Sequence, residues 1–300
     1  MKIGWMQAPA KINLALHVTG QRDDGYHLIE TLAVFADIGD RIGVRAAASD
    51  CFAVTGPEAA ALANEAPETN LVIRARELMR AIATGAGKEA PPVSLTLEKA
   101  LPAGAGIGGG SADAAATLHA LMAAWSCESL AATVAEQAVT LGADVPMCLL
   151  SRPLVARGIG EDVQAVGNVP ALHIILANPR LHVATPAVFS ALAQKRNPPL
   201  ALEDAASLRT PREWAGWLAA KTRNDLEAPS IELAPEIGAC LDALRATPAL
   251  MVRMSGSGAT CFGVYASGAD AASAAATLLQ QHPDWWIKAC MTGPSPMERA

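Results

Sequence analysis

The segment from Leu101 to Ser111 constrains this chain more than any other, because glycine occupies positions 104, 106, 108, 109 and 110 directly before a long alanine-rich stretch. Val93–Glu98 ahead of it alternates as a strand does, and the spacing behind it predicts a helix from about Ser111 to Trp125. Glycines between a strand and a helix let backbone N–H groups approach an anion with no side chain in the way. The helix start adds its unpaired N–H groups and positive dipole end, and Ser111 adds a hydroxyl. A Walker A loop ends in Gly-Lys-Ser/Thr; Gly110 precedes Ser111 here, which excludes it. Gly104-x-Gly106-x-x-Gly109 matches the dinucleotide fingerprint. Glu128 lies at the distance expected of the ribose carboxylate, but between two helical stretches and not at a strand end. A plain flexible turn is the remaining reading, and a plain turn has no need of so many glycines.

Around this loop the chain reads as mixed strands and helices. Ala10–Val18 alternates, with Ile12, Leu14, Leu16 and Val18 on one face and Lys11, Asn13, Ala15 and His17 on the other, as a half-buried strand does. Asp23-Asp24-Gly25 signals a turn, and Leu28–Phe35 and Arg41–Ala46 read as further strands. Asn70–Ala83 and Glu128–Leu141 have helical character, the second closed by Gly142. Leu154–Val166 is β-rich about Gly158-Ile159-Gly160. Composition shifts near Gly167–Pro170. Beyond it come a strand at Leu172–Ala177 and helices near Pro211–Ala220 and Ser230–Arg245. Strands at Met251–Met254 and Thr260–Tyr265 flank a second glycine turn, Ser255-Gly256-Ser257-Gly258, and Trp285–Cys290 is the last strand. The lack of regular βαβ alternation predicts an α+β fold. The expected division is an N-terminal domain over residues 1–166 and a C-terminal domain over residues 167–300.

Composition excludes several function classes. Over 300 residues, 51% are hydrophobic, enough for a packed core, and the formal net charge is −6 with no Lys/Arg block, so no nucleic-acid partner is expected. The six cysteines are scattered without a CxxC pair, which reads as reduced thiols and excludes a zinc site of ordinary spacing. Residues 1–7 lack an apolar signal region, and no apolar run approaches the ~20 residues of a membrane helix. The expectation is a soluble, cytoplasmic protein with no membrane partner.

Five segments, taken in order, resemble one family. Pro102-Ala103-Gly104-Ala105-Gly106-Ile107-Gly108-Gly109-Gly110-Ser111, followed by Ala112-Asp113-Ala114-Ala115, is similar to the phosphate loop of the GHMP kinases. Pro9-Ala10-Lys11-Ile12-Asn13-Leu14, Asp24-Gly25-Tyr26-His27, Leu141-Gly142-Ala143-Asp144-Val145-Pro146 and Ser255-Gly256-Ser257-Gly258-Ala259-Thr260 narrow the likeness. They point to the branch that phosphorylates a cytidine diphosphate-linked polyol of the non-mevalonate isoprenoid pathway. The ordered set covers essentially the whole chain. Two departures stand out: Ala112 and Asp113 occupy positions where the family often has Ser and Asn, and Ala105 one where it often has Gly.

The resemblance implies a two-lobed fold with the active site between the lobes, using ATP and Mg²⁺. It implies that Asp144 is the catalytic base and that Lys11 beside it keeps it ionised and offsets charge on the moving phosphoryl group. Lys11 and Asn13, about 7 Å apart on one strand face, would otherwise read as an exposed edge, and Asp144 as a helix N-cap. For a cytosine ring the resemblance points to Tyr26 and Phe189 stacking on its two faces and His27 reading its edge. Asn13 and Thr185 would complete that shell. Phe189 could equally be core packing, and His27 a turn residue. For adenosine it suggests Asn70 and Lys99, against an N-cap and a solvated lysine. Another GHMP kinase, of the homoserine or mevalonate type, is the nearest alternative, and Tyr26, His27 and Phe189 discriminate against it because those substrates carry no base. A non-catalytic nucleotide-binding regulator is the other alternative, and the pairing of Lys11 with Asp144 argues against it.

Overall fold

The computed structural model describes residues 4–63 and 66–293. The start of the segment judged to lack a signal region and the last residues of the expected C-terminal domain lie outside them.

The chain opens with a long antiparallel hairpin, β1 (Gly4–Gln21) and β2 (His27–Ala46). It continues through β3 (Cys51–Thr55), α1 (Leu71–Gly85), β4 (Val93–Glu98), α2 (Gly109–Ala124), α3 (Ala131–Gln137) and α4 (Val145–Leu150), then β5 (Leu154–Arg157) and β6 (Asp162–Ala165). These strands form one six-stranded sheet in which β2 carries β1 along one edge, and β4 and β5 on the other. The second half holds β7 (His173–Asn178), α5 (Thr185–Ala191), α6 (Pro211–Lys221), α7 (Glu227–Leu233), α8 (Glu236–Arg245), β8 (Met251–Met254), β9 (Cys261–Tyr265), α9 (Gly268–Gln281) and β10 (Trp286–Met291). Its strands make a four-stranded antiparallel sheet in the order β10-β7-β9-β8. The fold is α+β, as the mixed pattern predicts.

Three apolar cores follow from this layering. One packs α1, α2 and α4 on the first sheet, one joins the two halves through Ile12, Leu14, Leu176 and Phe262, and one lies among the second sheet, α8 and α9. Helix α2 is alanine-rich and buried along most of its length, as a helix apolar on all sides must be. It lies against both long strands, and that contact aims its N-terminus at the junction of the halves.

Several expectations need correction. β1 is buried on both faces from Ala8 to Leu16, not half-exposed. The polar half of its alternation, including Lys11, Asn13 and His17, faces the protein interior. The two strands expected between Leu28 and Ala46 are one, because Gly39 lets β1 approach: a β-carbon there would lie 2.1 Å from the Ala8 carbonyl oxygen. The single helix expected over Glu128–Leu141 is α3 flanked by short 3₁₀ turns, where the Thr140 hydroxyl takes the Gln137 carbonyl. The helix expected over Ser230–Arg245 is divided into α7 and α8 at Pro235, which has no N–H to continue it. β3, alternately exposed and half-buried at a sheet edge, has no strong apolar signal and escaped sequence reading.

Candidate active site

The glycine loop follows β4 and ends in α2, as its position predicts. Gly104, Gly106 and Gly108 take left-handed φ values of 63°, 73° and 66°, with Ala105 and Ile107 between them. Left-handed residues recurring in a loop are a feature of the backbone concavities that bind anions. The loop carbonyls bond back to the protein. Ile107 O accepts from Lys11 N at 2.9 Å and Ala105 O from Thr260 N at 3.1 Å. Gly106 O accepts from Ser255 Oγ at 3.1 Å. Among the described residues, no N–H from Ala103 to Ser111 donates to a protein acceptor. The loop is thus fastened by its oxygens and presents its nitrogens to a cavity of about 1260 Å³.

Lys11 rises from β1 alongside this loop; a β-carbon on Gly108 would lie 3.1 Å from its Cβ. Its ammonium donates to Asp144 Oδ2 at 2.7 Å. Lys11 is nearly sealed, its side chain 4% exposed, while Asp144 is 39% exposed toward the cavity. Asp144 holds the N-cap position of α4, yet its side chain makes no cap hydrogen bond. The carboxylate is aimed at the lysine and the cavity instead. Asn13, also buried, donates from Nδ2 to Thr31 Oγ1 at 2.7 Å, while its Oδ1 has no partner among the described residues.

Lys99 is not the solvated lysine that sequence reading allowed; it is buried at the wall of the cavity. Its ammonium is buried between Asp40 Oδ2 at 2.5 Å and Asp113 Oδ2 at 3.0 Å, directly beneath Gly109. Two carboxylates cannot both be neutralised by one ammonium. Asp40 also accepts the N–H groups of Ala100 and Leu101, at 2.6 and 2.9 Å. Asp113 has one oxygen with no partner among the described residues. Burial, with Asp40 nearby, outweighs the pull of Lys99 and pushes the Asp113 carboxyl up to about 8. An unfolded aspartate loses its proton near 4. Between those values the folded chain therefore binds the proton more tightly, and stability falls as pH rises through the window. Asp113→Asn carries no proton to lose. We expect its melting temperature to decline less than the parent's from about pH 5 to about pH 8; parallel declines would exclude a neutral Asp113.

Two of the three rings singled out in the sequence pair with each other. Phe189 on α5 stacks on His27 at the start of β2, ring centroids 4.9 Å apart and 26° between planes. Two flat rings on facing elements cover each other's apolar surface. Tyr26 is 61% exposed and pairs with neither. Burial and the nearby Lys195 lower the His27 pKa, which favours a neutral imidazole. All three residues line the cavity, as do Asn13 and Thr185, whose hydroxyl meets Ser257 Oγ at 2.8 Å. Asn70 also lines it while capping α1 by accepting from Val72 N at 3.0 Å. Ala112 is buried in the core beneath the loop, so this position contributes packing.

Sequence reading missed Asp40, lost in what looked like a break between strands. The second glycine turn, Ser255-Gly256-Ser257-Gly258, lies against the first: a β-carbon on Gly106 would come within 2.4 Å of Gly258 O. That turn braces the phosphate loop from behind: Ser255 Oγ accepts from Asn13 N at 3.1 Å and donates to Gly106 O. Asn224 holds the turn through the carbonyls of Met254 and Gly256, both at 2.8 Å.

Known proteins resemble this chain over most of its length. The family model for the GHMP kinases N terminal domain matches residues 70–152, and that for GHMP kinases C terminal matches residues 201–284. A 4-diphosphocytidyl-2-C-methyl-D-erythritol kinase of Rhizobium etli (strain CIAT 652) is 53% identical over 95% of this chain and 94% of its own length. A crystal structure of 4-(cytidine 5'-diphospho)-2C-methyl-D-erythritol kinase superposes with a TM-score of 0.79 at 34% identity, covering 97% of this chain and all of that one. A homoserine kinase from Cytophaga hutchinsonii superposes at 0.68 with 17% identity over 98% of this chain and 96% of its own, a likeness of fold alone.

Proposed function

This chain belongs to the 4-diphosphocytidyl-2-C-methyl-D-erythritol kinase family of GHMP kinases, and from that premise we propose how its residues carry out the reaction. It is an ATP-dependent kinase that phosphorylates the 2-hydroxyl of 4-diphosphocytidyl-2-C-methyl-D-erythritol in the non-mevalonate isoprenoid pathway. The observation that carries the mechanism is the Lys11–Asp144 pair standing beside the N–H-lined loop in one cavity.

In this reading the loop N–H groups and the start of α2 hold the ATP phosphates, and Ser111 adds its hydroxyl. Asp144 takes the proton from the 2-hydroxyl as that oxygen bonds to the γ-phosphorus. The bond from phosphorus to the β,γ-bridging oxygen breaks, and ADP leaves. Lys11 holds Asp144 in place through their 2.7 Å contact and faces the charge that develops on the transferring group. Phosphoryl transfer depends chiefly on such positioning and electrostatic support. Asn13 and Thr185 flank the acceptor. Tyr26 offers an open face to the cytosine, with His27 and Phe189 as the wall beside it. Asn70 borders the adenosine end.

The donors present fit a Mg²⁺ ion that arrives with the nucleotide. Among the described residues no three His, Cys, Asp or Glu side chains converge on a metal site, and Ser111 lies at the cavity wall. Mg²⁺ commonly keeps several waters and binds through substrate phosphates. Ser111 would hold it, and the ion would spread the negative charge of the phosphates.

Residues 1–166 then form the ATP-binding domain and residues 167–300 the C-terminal domain, with the cavity between them. No described helix is long and apolar enough to cross a membrane, and we place the enzyme in the cytoplasm with its small-molecule substrates.

The test offers purified protein ATP and Mg²⁺ with the cytidyl substrate, homoserine, mevalonate or galactose in parallel, and measures ADP release. Release should depend on the cytidyl substrate. Release that depends only on another acceptor overturns the assignment.

A further inference from the structure

The segment 179–184 joins β7 to α5 and crosses the mouth of the phosphate loop. It is pinned at both ends. At the first, Asn178 Nδ2 donates to Thr260 Oγ1 at 2.9 Å, and Asn178 Oδ1 accepts from Arg180 N at 2.7 Å. Both arms of the Arg180 guanidinium then reach across to Glu58, in the half that carries the first sheet, at 2.9 Å each. Arg180 holds a left-handed φ of 60°, a conformation that costs a non-glycine residue energy unless neighbours enforce it. At the second end, Thr185 meets Ser257. The segment is therefore a fixed strap between the halves.

His182 sits at its centre. A β-carbon on Gly104 would come within 2.4 Å of its Nδ1, so the imidazole lies directly against the first glycine of the anion-binding concavity. It is exposed to the cavity and has no hydrogen-bond partner among the described residues. The neighbouring charges, Arg180 and Glu58, are engaged with each other. An imidazole N–H beside a row of free backbone N–H groups extends that row by one side-chain donor.

We infer that His182 is a phosphate-binding side chain that donates a hydrogen bond to a non-bridging phosphate oxygen of a bound nucleotide. This rests on the proposed role of the loop. The phosphate could belong to ATP or to the diphosphate of the cytidyl substrate, and both present the same oxygens at the cavity.

The test measures binding of ADP, CDP, adenosine and cytidine by calorimetry to the parent, His182→Leu and His182→Asn. Leucine keeps the bulk against Gly104 without a donor; asparagine keeps an N–H. A hydrogen bond to a charged group corresponds to roughly a ten-fold or larger change in affinity. The leucine variant should weaken ADP or CDP by about that factor, should leave the matching nucleoside within about two-fold, and asparagine should restore part of the loss. The arm that weakens identifies the source of the phosphate. Equal losses for diphosphate and nucleoside, or no loss in either, overturn the inference. A parent that binds ADP but not CDP counts against the cytidyl substrate, and the ADP arm still decides the role of His182.

Discussion

Asp144→Asn lowers kcat by at least ten-fold, and by about 10²–10⁴-fold if general-base catalysis has its usual weight, while ATP binding survives. The substitution is isosteric, so it changes proton affinity and charge without opening space. In the proposed mechanism the ATP phosphates are held by loop N–H groups and by the start of α2, and not by Asp144. Lys11 loses its carboxylate partner, but Asp144 is 39% exposed, so water reaches that end of the pair and limits the desolvation cost. The Lys11 side chain stays beside Gly108, where it faces the nucleotide of the proposed mechanism. The effect should therefore fall on turnover in single-turnover kinetics, with the ATP dissociation constant within about two-fold of the parent. Unchanged turnover would remove Asp144 from the role of base, and lost ATP binding would show that the Lys11–Asp144 pair supports the nucleotide site instead.

What could be read in the sequence depended on how local its signal was. The strand Val93–Glu98, the loop and the long helix were legible because each announces itself within a few residues: alternation, glycine, alanine. Lys11 and Asp144 were not connected by anything local. They lie 133 residues apart, and only a whole-chain resemblance placed them together. The polar face of β1 misled, since alternation tells which side chains share a face but not what covers it. Here the polar side chains of that face are buried, although their alternation with apolar residues reads as solvent-facing. Lys99 misled for the same reason in reverse. A lone lysine at a strand end reads as solvated until Asp40 and Asp113, from two distant segments, are folded onto it. The rings were legible as a set but not as a geometry, because which face of Phe189 is taken depends on α5 docking against the start of β2.

Gly106→Ala should reduce kcat/KM for ATP by about 10²-fold or more, because this glycine is where the two glycine turns lock together. Its φ of 73° is left-handed, which costs a residue with a β-carbon about 1–2 kcal/mol. Space is the harder limit. The new carbon would lie 2.4 Å from Gly258 O and 2.9 Å from Ser255 O, both backbone atoms that no rotamer change can move. Relief requires the turns to part. Parting strains the bond from Ser255 Oγ to Gly106 O and the bond from Thr260 N to Ala105 O, two of the three that fasten the loop carbonyls. Once those carbonyls are free to rotate, the N–H groups lose their common aim, and a misplacement of about 1 Å can cost 10²-fold in rate. Gly110→Ala supplies the control. Gly110 lies in the first turn of α2, and a β-carbon there meets only Leu71 Cδ1, at 3.4 Å. Its melting temperature should stay near the parent's while that of Gly106→Ala falls. Equal stability and equal ATP kinetics for Gly106→Ala and the parent would show that the two turns are not locked as the structure draws them.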